Sequence, residues 1–213
     1  MSVLTCFAVK EEAVELKKIL PDLGDAEILV TGIGVKNAER MIQQRLMEEP
    51  PSLVLTCGFA GALNPELKVG DVLFGDDTEK ELAETLRSAG AVAAKFYCAT
   101  QVATTAAEKA SLRQSTGADA VEMESAVIRE ICRERKIPSA TVRVISDTAD
   151  EDLPLDFNLL MTPEQAISFT KLALALMKSP GKVPRLLALQ RNTRHAAQRL
   201  AEVLGKLLSH RDR

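Results

Sequence analysis

The chemistry open to this chain rests on carboxylates. Residues 119–125 read DAVEMES, with Glu122 and Glu124 flanking Met123 where a short apolar run meets a helical pattern. Glu12 stands within AVKEEAVELKKIL, and Asp147 follows Ser146 at the end of VRVISD. Histidine occurs only as His195 and His210, both near the C-terminus, and Trp is absent. That supply is too thin for a Ser/His or Cys/His hydrolase or a histidine-rich metal site. Cys6, Cys57, Cys98 and Cys132 are scattered without metal-type or redox-type spacing. They read as reduced core residues of a cytoplasmic protein.

The spacing around each acid says which way it points. Stepping by helical turns from Glu12 reaches Leu16, Ile19 and Leu20, so Glu12 shares a core-facing stripe. The same steps from Glu124 reach Val127, Ile128, Ile131 and Cys132. Glu122 aligns with Ser125, Ala126 and Arg129, a more polar face, and reads as structural. A buried carboxylate is costly unless bonded. Each acid therefore either accepts free N–H groups in a first helical turn or serves a ligand beyond the carboxyl ends of the strands. Asp147 ends the strand-like run Ala140–Ile145, where it either starts a turn or faces such a ligand. Gly32 and Gly34 in LVTGIGVKNAER, and Gly58 and Gly61 in LVLTCGFAGALNPELKVGDVL, read as tight turns after strands that expose N–H groups. Position 37 is Asn, so the first is no dinucleotide fingerprint, and no GxxxxGK[ST] loop occurs.

The elements that must carry these residues alternate. Apolar runs at 3–9, 27–31, 52–57 and 139–146 predict strands, with a shorter one at 118–121. Helical periodicity covers roughly 11–20, 36–48, 78–89, 105–114, 124–136 and 163–178. Strand–helix alternation predicts an α/β sheet, largely parallel, with helices covering it. With 46% hydrophobic and 27% charged residues and a net charge of −3, the 213 residues suit one soluble domain spanning 1–213. No basic segment precedes the first apolar run, so no signal or transit peptide is expected. No stretch approaches the ~18 apolar residues of a membrane span. Residues 179–213 differ, with eight Lys/Arg against two acids in an amphipathic pattern. This C-terminal segment reads either as a closing helix packed on the domain or as a surface for an anionic partner or membrane face. It lacks the aromatic interleaving expected of a nucleic-acid binder.

In order and rough spacing, AVKEE, TGIG, TCGFAGALNPELKVGDVL, AVEMESA and VRVISDTAD resemble the purine nucleoside phosphorylase/nucleosidase superfamily over about residues 3–150. The resemblance is closest to the methylthioadenosine/S-adenosylhomocysteine nucleosidase branch. It implies a three-layer α/β/α fold around a central twisted mixed sheet, acting on a small-molecule purine nucleoside of the adenosine type. Cleavage of the N-glycosidic bond is implied, with no cofactor or metal and with a homodimer as the assembly. By this resemblance Asp147 protonates the purine with help from Ser146, and Glu124 holds the ribose hydroxyls with Met123 against the sugar. Glu12 positions the attacking water, while Ile33, Ala60 and Gly61 line the ribose and base. The chemistry is coherent, because an oxocarbenium-like sugar and an electron-rich purine call for a carboxylate and an acid respectively.

The departures from the family pattern bear on the nucleophile and on recognition. Phe59 stands where nucleosidases carry a serine, and Thr56 where bacterial phosphorylases carry a phosphate-binding arginine. The missing arginine favours hydrolysis, although Arg143 or the Gly32–Gly34 loop leaves phosphorolysis open, with phosphate then a co-substrate. Gln101 and Val102 replace the aromatic that stacks under the purine. The chain is also shorter than the nucleosidases between Gly75 and Thr100, which opens the 5′ side. Its compactness, DLPLDFN and the basic tail resemble the hopanoid-associated phosphorylase group as well. That likeness implies an adenosyl-lipid substrate and peripheral membrane contact through the C-terminal segment. A non-catalytic nucleoside-binding protein is the remaining alternative.

Overall fold

The computed structural model describes residues 2–160, 162, 171, 174 and 179–211. Most of the helix expected over 163–178 lies outside the described residues. Strand β1 (Val3–Phe7) is buried along its whole length, which is why VLTCF is continuously apolar apart from Thr5. It pairs in parallel with β2 (Ala26–Val30) on one side and β3 (Leu53–Ala62) on the other. Parallel neighbours need crossovers, and helices α1 (Lys10–Ile19) and α2 (Val35–Arg45) lie between these strands in the chain.

The chain continues with β4 (Val72–Gly75), α3 (Lys80–Ala89), β5 (Val92–Ala94) and β6 (Phe96–Cys98). Then come α4 (Ala106–Thr116), β7 (Ala120–Glu122), α5 (Ser125–Glu134) and β8 (Ser139–Asp147). A short helix α6 (Phe157–Leu160) and the long α7 (Val183–Arg211) follow. The sheet runs β2-β1-β3-β8-β4-β5, with β7 joined to β3 and β6 to β7. The β4–β8 and β3–β7 pairs are antiparallel and the others parallel, so the sheet is mixed.

Side chains alternate across this sheet. Val3 and Phe7 of β1 pack with Leu16 of α1, Leu86 of α3 and Leu200 and Leu204 of α7. Leu4 and Cys6 face the other way, with Ile42 of α2 and Ile128 of α5. The result is helix, sheet, helix in three layers, as the family resemblance implies. The C-terminal half of α7 supplies Ala196, Leu200, Leu204 and Leu207 to the first core, while Val183 and Leu187 in its N-terminal half stay exposed. Among the described residues no helix is long and apolar enough to cross a membrane.

Three expectations change. Residues 58–61 are not a turn: β3 runs on through them to Ala62 and carries Phe59, Ala60 and Gly61 within the strand. Glu122 lies on strand β7, not on the following helix, so helical stepping does not describe where it points. Strands β4, β5 and β6 had no counterpart, because three or four residues are too few to display a period. In addition, the β3–β8 register shifts between Ala60 and Gly61, whose partners are Ile145 and Asp147. Ser146 is the extra residue of this bulge, a device that bends a strand and re-aims its side chains.

Candidate active site

Strands β1, β3, β7 and β8 end around one cavity of about 220 Å³. It is lined by Glu12, Ile33, Phe59, Ala60, Gly61, Val102, Met123, Glu124, Ser146 and Asp147, all selected from the sequence. Gln101, Leu153 and Phe157 complete much of its wall. The sheet gathers these residues from distant parts of the chain, at strand carboxyl ends where open α/β sheets bind ligands.

Glu12 sits in the first turn of α1, where N–H groups lack helical partners. Its Oε2 accepts from Ala8 N at 2.9 Å and Val9 N at 3.1 Å, and its Oε1 accepts from Phe59 N at 2.7 Å. It therefore ties the start of α1 to β3. Burial pushes its carboxyl up to about 7, against the pull of Arg143 and of the Phe59 N–H. Gly58 makes the contact possible. Its φ is +140°, and a Cβ there would lie 2.5 Å from Glu12 Oε1 and 2.7 Å from an Arg143 guanidinium nitrogen.

Arg143 projects from β8 and is almost wholly buried. Its guanidinium donates to Glu122 Oε2 at 2.6 Å and to the Cys57 carbonyl at 3.0 Å, and lies 3.5 Å from Glu124 Oε2. Glu122 is spent on structure. Its Oε2 also accepts from Glu124 N at 3.0 Å and Ser125 N at 2.8 Å, and its Oε1 from the Ser125 hydroxyl at 2.6 Å. Burial alone would raise its carboxyl, but Arg143 and the Ser125 donors outweigh that and hold it below the usual range. Glu124, immediately before α5, accepts from Gly34 N at 2.9 Å. Burial raises its carboxyl despite Arg143. Glu124 thus keeps hydrogen-bonding capacity toward the cavity that Glu122 does not.

Asp147 is held by a residue that sequence reading missed. Lys109 of α4 is fully buried, and its ammonium lies 2.6 Å from Asp147 Oδ2. The Ser146 hydroxyl donates to Asp147 Oδ1 at 2.7 Å, with the Ala60 carbonyl a second acceptor at 3.4 Å. No strong sequence signal marks Lys109, because Glu108 and Arg113 beside it make α4 look polar on most faces.

Both phosphate candidates are largely engaged elsewhere. The two terminal nitrogens of Arg143 serve Glu122 and the Cys57 carbonyl, with Glu124 3.5 Å away, and Arg143 is not among the residues that line the cavity. In the Gly32–Gly34 loop, Gly34 N serves Glu124 and Gly32 N donates to the Ala8 carbonyl. Thr56, at the position of the family's phosphate arginine, is buried in the sheet. Phe59 and Phe157 provide aromatic faces to the cavity where the aromatic expected near Val102 is absent.

The profile of the phosphorylase superfamily matches residues 24–97 and 80–178. An aminodeoxyfutalosine nucleosidase of Campylobacter jejuni is 29% identical over 154 residues, 54% of this chain and 64% of that protein. A 5′-methylthioadenosine/S-adenosylhomocysteine nucleosidase of Glaesserella parasuis is 26% identical over 189 residues, 73% of this chain and 81% of its own length. Among solved structures, the Campylobacter jejuni 5′-methylthioadenosine/S-adenosylhomocysteine nucleosidase superposes with a TM-score of 0.74 at 20% identity, covering 99% of each chain. At that identity the structural likeness speaks for the fold.

Proposed function

Because the chain belongs to the phosphorylase superfamily, we propose that it hydrolyses the N-glycosidic bond of an adenosine-type purine nucleoside. Two relatives named as nucleosidases support this reading. The observation that carries it is the meeting of Glu12, Glu124 and Asp147 around one cavity whose nearby buried guanidinium is already spent on carboxylates.

In this reading Asp147 gives its proton to the purine as the bond from C1′ to the base breaks, so the base leaves with the bonding electron pair. Glu124 accepts from the ribose hydroxyls and stabilises the positive charge that develops on the sugar. Glu12 orients a water and takes its proton as the new C1′–O bond forms. A carboxyl balanced at about 7 suits a base working near neutrality. Met123, Ile33, Ala60 and Gly61 border the sugar and base, and Phe59, Val102 and Phe157 supply apolar faces for the purine. The same proposal includes a cytoplasmic homodimer. It also includes lipid contact through the N-terminal half of α7, where exposed Val183 and Leu187 lie among Arg185, Arg191 and Arg194.

The test is incubation with adenosine and 5′-modified adenosines, with and without phosphate, followed by chromatography of base and sugar. The expected result is free adenine and free sugar at a rate independent of phosphate. Strict phosphate dependence with a sugar 1-phosphate product overturns hydrolysis in favour of phosphorolysis. Binding without base release overturns catalysis altogether.

A further inference from the structure

Lys109 needs a reason to be where it is. Lysine is rarely buried without partners, yet this side chain is fully enclosed. Its ammonium meets Asp147 Oδ2 at 2.6 Å and donates to the Thr148 carbonyl at 2.6 Å and the Glu151 carbonyl at 3.0 Å. Three N–H donors find three acceptors, which fixes a group that is ordinarily mobile. The two carbonyls belong to the turn leaving β8, so Lys109 is anchored independently of the carboxylate it faces.

On the other Asp147 oxygen, the Ser146 hydroxyl has a choice of acceptor, Asp147 Oδ1 at 2.7 Å or the Ala60 carbonyl at 3.4 Å. It can donate to the carboxylate, or turn to Ala60 and accept from the carboxylic acid. The surroundings therefore serve Asp147 in both protonation states, while the ammonium is the fixed charge beside it.

We propose that Lys109 is a positioning residue for departure of the base, holding Asp147 in place and stabilising the carboxylate left once its proton has gone. This rests on the reading of Asp147 as the acid. In the step, the C1′–base bond breaks with its electrons passing to the purine. The Asp147 O–H bond breaks and an N–H bond forms on the base. The negative charge left on Asp147 faces the ammonium, and Lys109 keeps all its protons. A cation preorganised where charge develops favours the transition state over the ground state.

The experiment compares two leaving groups in one preparation of Lys109→Met. Adenine leaves adenosine poorly unless protonated, whereas 4-nitrophenolate leaves 4-nitrophenyl β-ribofuranoside without a proton. We expect kcat on adenosine, relative to kcat on the nitrophenyl riboside, to fall about tenfold or more against the wild type. The ratio does not depend on how much of the preparation is folded, so lost stability alone cannot produce it. Lys109→Gln, neutral but still able to donate, is the second variant and is expected to move the ratio the same way. Equal losses on both substrates, or no loss, overturn the role of Lys109 and leave the hydrolase reading standing. A wild-type protein that releases neither adenine nor nitrophenol overturns both.

Discussion

Two groups of buried charge lie at the strand ends of one sheet, and they are balanced differently. Around Arg143 a single guanidinium serves Glu122 and Glu124 directly and pulls on Glu12 from nearby. Around Asp147 one ammonium serves one carboxylate. In the first group the acids outnumber the cation, so they cannot all ionise cheaply. Glu122 takes the shortest contact and stays low, and the cost falls on Glu124 and on Glu12, which rises to about 7. In the second group the ammonium's other acceptors are the neutral Thr148 and Glu151 carbonyls, and the carboxylate is held in one place. Burial, only partly offset by the shared Arg143, leaves Glu12 titrating near neutrality, while Lys109 holds the Asp147 carboxyl in one position.

That contrast can be broken at either group. The largest expected effect is on turnover: Asp147→Asn should lower kcat on a nucleoside by about 10²–10⁴, with an unchanged far-UV circular dichroism spectrum. A near-normal rate would move the Asp147–Lys109 pair to the structural side. Arg143→Met removes the cation that the acids share. Truncating one partner of a buried ion pair costs about 3–5 kcal/mol, so urea unfolding at neutral pH should show a loss of that order. The loss should shrink toward pH 4, because without Arg143 the buried carboxylates can shed their charge by taking up protons. A loss that is the same at both pH values would mean that packing, rather than charge, is what Arg143 contributes.

The smallest effect sharpens the comparison through Glu12. Its folded carboxyl titrates near 7 against an ordinary value of 4.5. Below 4.5 it is protonated in both states and carries no penalty. As pH rises toward 7 the unfolded chain releases this proton before the folded one does, so stability falls. The full penalty above pH 7 is about 3 kcal/mol. Relative to a Glu12→Gln variant, the wild type should therefore lose about that much between pH 4.5 and 7.5. A gap between the two proteins that does not change with pH would show that the N–H groups of Ala8, Val9 and Phe59 keep Glu12 ionised throughout.

Much of the site could be read in one dimension. Glu12 and Glu124 each stand on an apolar stripe, and Asp147 ends an apolar strand, so their inward direction follows from periodicity and from the cost of burying an acid. The structural role read for Glu122 rests on a helical face that the residue does not occupy. It does bond to the start of α5, but from strand β7, whose apolar run at 118–121 stops one residue short of it. Lys109 could not be seen because its burial depends on the Thr148 and Glu151 carbonyls, remote along the chain.

The sequence by itself determined the alternation of strands and helices, a sheet covered by helices, and which acids face inward. These follow from side-chain periodicity and hydrophobic burial, which are local properties. The tertiary structure alone decided the continuation of β3 through Gly58, the bulge that sets Ser146 and Asp147, and the withdrawal of Arg143 from the cavity. It also decided which carboxylate each buried cation serves. Those outcomes depend on register and on the competition of several acids for few cations, and neither is written in any single stretch of the chain.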